Sequence, residues 1–226
     1  MKKPIYLFAI LLLVASCTKS VDSDDLKDAV PYYQQYEVAY DKTHNIVNAV
    51  ATYRVREASG AKVELAGSAN VRVNNMPANT STIDKTRYTW TLNGSPDVDF
   101  VLTKNSGETV TNTVLRADIG DVEFGGDFPS AMARTAGFSF SWIGTAISNN
   151  EALNVSLTSD QAGEIVTKAV TGNTVTFSPA ELKNCPAGNI TVALYRVKDI
   201  AVKAEDQGAG GTIQLRLNVS RKGVIN

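Results

Sequence analysis

Residues 212–220, Thr-Ile-Gln-Leu-Arg-Leu-Asn-Val-Ser (TIQLRLNVS), alternate between apolar and polar side chains with hardly a break. The apolar set is Ile213, Leu215, Leu217 and Val219, and the polar set between them is Gln214, Arg216 and Asn218. Successive side chains of a β-strand point to opposite faces, so this period of two predicts a strand with one face in a core and one in water. One-sided burial is typical of antiparallel sheets.

The same period recurs through most of the chain. The alternating runs before residue 118 are 36–40, 47–55, 71–73, 88–92, 98–102 and 110–114, and those after it are 122–124, 138–142, 153–157, 165–167, 175–177 and 190–202. Turn-forming sequences such as Asn74-Asn75 separate the runs. No long helical period follows residue 17, although Ser178 and Pro179 are typical of the start of one helical turn over 179–183. The sequence therefore predicts an all-β protein.

About six or seven strands lie on each side of residue 118, and each side has its own tryptophan on an alternating strand. We therefore predict two tandem antiparallel β-sandwiches, domain 1 over 31–117 and domain 2 over 118–226. One large jelly roll is the alternative. Trp90 and Trp142 lie on apolar strand faces, so both are predicted to pack in a core.

Residues 1–16 have the layout of a secretory signal peptide. Lys2 and Lys3 precede the apolar run 5–14, which is too short to cross a bilayer as a helix, and small residues follow it. A soluble exported protein, cut after Ala15 or Ser16, is the simple interpretation.

The segment Val14-Ala15-Ser16-Cys17 resembles the lipobox of bacterial lipoproteins. The resemblance implies that Cys17 receives a diacylglycerol, that the chain is cut before it, and that the new amine is acylated. Several acyl chains would hold the protein on a membrane stably, whereas one binds only marginally. Residues 17–30 are then the lipidated cysteine and a flexible tether, because this segment is polar and acidic without an apolar period. Thr18 stands where an aspartate would retain an enteric lipoprotein at the inner membrane, which implies the outer membrane, facing the surface or the periplasm.

The segment Leu182–Leu194, Leu-x₅-Gly-x-Ile-x-Val-x-Leu, resembles the turn and strand that hold the tyrosine corner of immunoglobulin-like domains. Ile190 stands where that family has its tyrosine. The whole plan, a lipobox followed by tandem immunoglobulin-like modules, resembles surface lipoproteins of Bacteroidetes.

Charge and reactive residues exclude several classes of function. Removing residues 1–16 takes away two lysines and no acids, so the net charge changes from −1 to −3, and no clustered basic face indicates a nucleic-acid partner. Once Cys17 is acylated, Cys185 is the only thiol, which leaves no intramolecular disulfide and favours a partly buried cysteine. The single histidine, His44, lies in a predicted turn, as does the Ser59-x-x-Lys62 spacing. We therefore expect no enzyme of the histidine or thiol type and no conventional zinc site.

Two groups of residues are candidates for binding. Asp118, Asp121 and Glu123 cluster at the predicted domain junction and are a weak calcium candidate, because hard oxygen ligands there would stiffen the joint. Tyr32 and Tyr33 precede the first predicted strand, where flat exposed rings suit a sugar or a protein. No other cofactor is predicted.

The function that the sequence favours is that of a non-enzymatic binding or adhesion module, anchored in the envelope through its lipid, with an unknown protein or glycan partner. A structural subunit of an envelope assembly, such as a fimbrial or secretion accessory component that shares an edge strand, is the alternative. An accessory protein of glycan processing is a minor alternative.

Overall fold

A computed structural model describes residues 20–226 of the chain. The predicted signal peptide and the proposed acylation of Cys17 lie outside the described residues. We call 20–117 the first half and 118–226 the second half. No helix among the described residues has the length and hydropathy of a transmembrane span.

The described chain is almost entirely strand. The strands of the first half are β1 Ser20–Asp22, β2 Tyr32–Asp41, β3 Ile46–Val55, β4 Lys62–Glu64, β5 Asn70–Val73, β6 Met76–Pro77, β7 Asn79–Thr80, β8 Tyr88–Asn93, β9 Val98–Thr103 and β10 Thr109–Val114. Those of the second half are β11 Val122–Phe124, β12 Ala131–Met132, β13 Phe138–Gly144, β14 Glu151–Ser159, β15 Gly163–Ala169, β16 Thr174–Phe177, β17 Gly188–Ala201 and β18 Gly211–Ile225. Two 3₁₀ helices cover Ser23–Asp25 and Arg116–Asp118. The prediction of an all-β protein is confirmed.

One long sheet runs through both halves in the order β1-β4-β3-β2-β18-β17-β14-β15. Its centre is the parallel pairing of β2 with β18, eight residue pairs from Gly211 opposite Gln34 to Asn218 opposite Asp41. The segment TIQLRLNVS lies in β18, and its apolar set is buried as the alternation predicts. The strand with the clearest pattern is therefore the one that joins the halves.

Two smaller sheets pack on the long sheet, one on each half. Sheet β10-β9-β5-β6 covers the first half, where Phe100 of β9 stacks on Tyr36 of β2 with ring centroids 4.3 Å apart. Sheet β11-β13-β16 covers the second half with Phe124, Phe140 and Phe177 in the core. The sheets do not close into a barrel, and the layers are those of a β-sandwich. The division at residue 118 and the immunoglobulin-like topology stay predictions.

Local sequence explains the tight turns. Asn74 and Asn75 both have positive φ, 48° and 64°, and they connect Val73 to its hairpin partner Met76. Two such residues form the turn whose twist matches a β-hairpin, and asparagine tolerates this conformation best after glycine. The predicted helical turn is also present: the Leu182 amide donates to the Ser178 carbonyl at 3.2 Å.

Residues 20–26 are docked on the fold, so the prediction of a flexible tether is wrong for this segment. Strand β1 pairs in parallel with β4, from Ser20 opposite Lys62 to Asp22 opposite Glu64. The Ser23 hydroxyl is buried, donates to the Ala66 carbonyl at 3.1 Å and accepts from the Ala66 amide at 2.8 Å. A three-residue strand is too short to show a period, and its partner lies forty residues away.

The loop 202–210, which we call the closing loop, seals the end of the first half. The Asn112 side chain donates to the Ala204 carbonyl at 2.9 Å and accepts from the amides of Lys203 and Ala204 at 2.8 and 2.9 Å. Lys104 and Asp206 form an ion pair at 3.1 Å with both side chains almost completely buried. These polar groups replace water at the end of the core, where buried polar atoms need partners.

Candidate ligand groove at Trp142

An open groove lies at the outer edge of the second half, and we call it the Trp142 groove. It has a volume of about 640 Å³ and is lined by Trp142, Ile143, Gly144, Ala146, Ile147, Val170, Gly172 and Asn173. These residues come from the end of β13, the loop before β14 and the turn between β15 and β16.

The groove exists because β13 extends past its neighbour β16. Strand β13 pairs with β16 over residues 138–141 but with β11 over 142–144. On the β16 side, the last contact is made by the turn: the Trp142 amide donates to the Asn173 carbonyl at 3.0 Å and its indole N–H donates to the Gly172 carbonyl at 2.8 Å. The end of β13 thus has no neighbouring strand on that side among the described residues.

Large apolar side chains are exposed around this strand end. Ile143 is 58% exposed and Ile147 is 37% exposed. Single exposed apolar residues are ordinary, but several that line one concave surface are typical of a binding site.

Trp142 packs against the core but is only partly buried, so the prediction that it lies between the sheets is correct for one side of the indole only, whereas Trp90 is buried as predicted. Phe140 lies two residues earlier on the same strand and is fully buried, because β16 still covers it there. Trp142 lies where that cover ends. One side of its indole contacts the core and the remainder borders the groove.

A buried arginine fixes the loop that carries Ile147. The Arg196 guanidinium, on β17, donates to the carbonyls of Thr145 and Ala146, both at 2.7 Å, and to the Asp121 carbonyl at 3.1 Å. It also forms an ion pair with Glu151, whose side chain is nearly buried. Because one cation ties three backbone carbonyls together, the rim of the groove is held in one conformation.

The same ion pair lowers the pKa of Glu151. Burial raises the pKa of Glu151, but hydrogen bonds from Arg196 and Ser148 outweigh it and lower the pKa to about 2. Gly120 lies directly against this pair, and a Cβ atom there would come within 2.4 Å of the guanidinium carbon. The glycine is thus required by the close approach of Arg196.

The groove lining is uncharged. Asn173 supplies its only polar side chain, and the indole N–H of Trp142 is already bonded to Gly172. Such a surface can hold apolar groups, and it has few polar atoms with which to orient a highly hydroxylated ligand.

The structure surrounds the predicted calcium ligands with cations. Lys42 Nζ lies between Asp121 and Glu123, at 3.0 and 2.9 Å from their carboxylate oxygens, and Arg116 bonds Asp121 at 3.1 Å. Asp118 pairs with Lys203 at 2.9 Å. Burial raises the pKa of Asp121, but the hydrogen bond from Lys42 outweighs it and leaves the pKa lowered. Within residues 20–226 no cluster of three or more histidine, cysteine, aspartate or glutamate side chains is arranged to hold a metal ion.

The predicted tyrosine site is not a surface patch. Tyr32 belongs to β2 and is only 3% exposed, so the expectation of an exposed ring before the strand is wrong. Its amide donates to Asp206 at 2.7 Å and the Lys104 ammonium lies 4.8 Å from its ring centroid. The closing loop covers this strand end, which the local sequence could not show. Tyr33 is half-buried on the opposite face of β2.

The predicted turn residues lie where the sequence placed them. His44 is in the turn between β2 and β3, exposed, with Nδ1 2.8 Å from an Asp41 oxygen. Ser59 donates to Glu57 at 2.9 Å in the turn before β4. Cys185 is a free thiol that is fully buried, and burial raises its pKa.

Sequence reasoning missed the groove, although one signal was present. The alternation Phe138, Phe140, Trp142 continues directly into Ile143, an apolar residue on the face that serines occupy earlier in the strand. Ile143 breaks the period where β13 extends past β16.

A scan against models of known protein families finds no match, and a search of curated proteins finds no similar sequence.

Proposed function

We propose that this chain is an envelope lipoprotein, anchored in the outer membrane through acylated Cys17, and that it acts as a non-enzymatic binding module whose ligand site is the Trp142 groove. The observation that supports the site is the group of apolar side chains around a cavity of about 640 Å³: Ile143 and Ile147 are exposed and Trp142 is partly buried. A rim held by buried Arg196 reduces the ordering cost of binding, because preorganised surfaces lose less entropy.

The ligand we propose is an apolar segment of a partner protein. The uncharged aliphatic lining suits a leucine-like or aromatic side chain. Residues 142–144 of β13 pair with β11 on one side only, and their other side lies beside the groove and offers backbone groups to an extended segment. A glycan would need several convergent polar side chains, and the lining has one.

The alternative of an assembly subunit that shares an edge strand could use β15, which lies at one end of the long sheet. This edge carries a charge that discourages pairing. Lys168 Nζ bonds Glu181 at 2.6 Å and the Thr176 carbonyl at 2.5 Å, so the side chain bridges β15 and β16. We therefore favour the groove over strand sharing at β15.

The test uses the lipidated full-length protein in native envelopes. A photo-crosslinking amino acid at Ile143 should form an adduct with a defined protein, and the adduct should disappear when Ile147→Asp is added. The matched control carries the crosslinker at Val224, which is 41% exposed in the last strand and outside the groove. Ile143 and Ile147 both lie on the surface, so substitution at either position should change the free energy of unfolding by about 0.5 kcal/mol or less.

Three results would contradict the proposal. A crosslink at Val224 as strong as at Ile143 would show nonspecific capture. An adduct that is glycan and not protein would assign the groove to the glycan alternative. Alkyne fatty-acid labelling that marks Cys17→Ala as strongly as the native protein would remove the anchor, independently of the groove.

A further inference from the structure

Ile83 is 96% exposed, the most exposed of the large apolar side chains described in the structure. It lies in the loop 81–87 between β7 and β8, among the polar neighbours Thr82, Asp84 and Lys85. An isoleucine that projects almost entirely into water contributes nothing to the core. Its position relative to the N-terminal strand indicates what covers it.

Strand β1 fixes the position of Ser20 on the fold. Ser20 lies opposite Lys62, and the hydrogen bonds of Ser23 with Ala66 hold the following turn. Only residues 18 and 19 separate Ser20 from Cys17. Three residues span at most about 11 Å even when fully extended, so an acyl chain on Cys17 has to enter the membrane close to Ser20.

The Ile83 loop lies at this same point. Ser20, Lys62 and residues 82–86 line one shallow surface depression. Lys62 Nζ, opposite Ser20, forms an ion pair with Asp84 at 3.6 Å, one residue from Ile83. The lipid attachment and the exposed isoleucine therefore share one end of the molecule.

The charges around Ile83 permit a membrane contact. Lys85 pairs with Glu64 at 3.2 Å, and Lys62 pairs with Asp84, so the charges of these four residues cancel. Arg87 adds a positive charge, whereas Asp22, Asp24 and Asp25 add negative ones farther along the chain. Electrostatic attraction to anionic lipid is therefore not the driving force, which leaves apolar insertion of Ile83.

We propose that Ile83 inserts into the lipid surface and that this second contact, added to the acyl anchor, orients the protein on its membrane. The proposal rests on the acylation of Cys17 proposed above. The Ile83 contact would also determine where the Trp142 groove lies relative to the membrane. Strand β1 and strand β15 are at opposite ends of the eight-strand order of the long sheet, seven spacings apart, so the β15 edge lies about 34 Å from the anchored edge, measured along the sheet. The groove at the β15–β16 turn then lies far from the lipid.

The experiment uses full-length acylated protein reconstituted in vesicles of phosphatidylethanolamine and phosphatidylglycerol. Ile83→Cys carries an environment-sensitive dye, and Val224→Cys carries the same dye as the control. Acylation blocks Cys17, and Cys185 is fully buried, so the dye reports the chosen position. We expect the emission of the dye at position 83 to shift to the blue and to be quenched by spin-labelled acyl chains. The dye at position 224 should emit as it does in the absence of vesicles.

Co-flotation with the vesicles separates the two proposals. Protein that floats with the vesicles while the dye at position 83 stays in water would overturn the Ile83 contact and leave the anchor intact. Protein that does not float and takes up no fatty-acid label would overturn the anchor and the Ile83 contact together. Unchanged melting temperatures of both variants verify that the fold is intact.

Discussion

The two ends of this molecule differ in how the apolar core is separated from water. At the closing-loop end, Gln34, Lys104, Asn112 and Asp206 are buried and bonded to one another or to the loop backbone. At the Trp142 end, apolar side chains remain at the surface and only the turn 170–173 lies beside them. One sandwich end is sealed by a polar network, and the other is left open.

The difference shows how distant segments decide exposure. The bonds that seal the first half join residues 74 to 174 positions apart in the chain. The closing loop supplies most of these bonds. It connects β17 and β18, the two longest strands, and this hairpin extends beyond β14 into the first half. Within residues 20–226, no comparable connection reaches the end of β13, so that end remains available for a partner.

Separating the halves should have the largest effect. A fragment of 20–117 lacks β18 beside β2 and lacks the closing loop, so Gln34, Lys104 and Asn112 lose buried partners. We expect it to show no cooperative urea transition, because each unpaired buried group costs about 1–3 kcal/mol and a typical domain is stable by only about 5–15 kcal/mol. A fragment of 118–226 keeps β11 to β18 and should unfold cooperatively.

Mixing the two fragments is the control and should restore a cooperative transition with the circular dichroism of the intact chain. Cooperative unfolding of 20–117 alone would instead support two independent domains divided at residue 118.

The next largest effect should come from Asp206→Ala. This change leaves the Lys104 ammonium buried with only the Val30 carbonyl, and it removes the acceptor of the Tyr32 amide. Breaking a buried pair in this way costs about 3–5 kcal/mol. Urea unfolding of the full chain measures it, with Glu64→Ala, which breaks the exposed pair with Lys85, as the control at about 1 kcal/mol or less. Equal losses in the two variants would show that the seal is not important for stability.

At the open end, stability should depend on pH through Glu151. Its pKa is about 2 in the folded protein, below the usual value of 4.5, so its contribution is fully present above about pH 4.5 and is lost as the pH falls toward 2. We expect Glu151→Gln to be less stable by up to about 3 kcal/mol at pH 7, with the two curves converging near pH 2. Chemical unfolding at several pH values tests this. A difference that stays constant with pH would assign the loss to packing.

The smallest effect compares two tyrosines of the first half. Tyr36 donates its hydroxyl hydrogen bond to Gln34 at 2.7 Å, whereas the buried hydroxyl of Tyr40 has no partner among the described residues. Tyr36→Phe should therefore cost about 1 kcal/mol, and Tyr40→Phe should be neutral or slightly stabilising. Thermal unfolding of both variants measures the difference. A larger loss for Tyr40→Phe would show that its hydroxyl is bonded in solution.

Local sequence pattern alone determined much of the secondary structure of this protein. The alternation of Ile213, Leu215 and Leu217 correctly predicted which face of β18 is buried. The turn at Asn74-Asn75 and the Ser178 turn were also readable, because each depends on the conformation of a few adjacent residues. Strand positions, turn residues and core faces follow from such short-range rules.

Tertiary structure alone decided which strands meet. A period of two does not specify a partner, so nothing in TIQLRLNVS indicated that β18 would lie parallel to β2 and join the halves. For the same reason the sequence did not give the exposure of Tyr32, Trp142 and the segment 20–26. A distant loop covers Tyr32, the end of a strand leaves Trp142 partly open, and a distant strand edge binds the segment 20–26. Alternation fixes which way a side chain points, whereas burial depends on what lies opposite, and that is decided only when distant segments pack together.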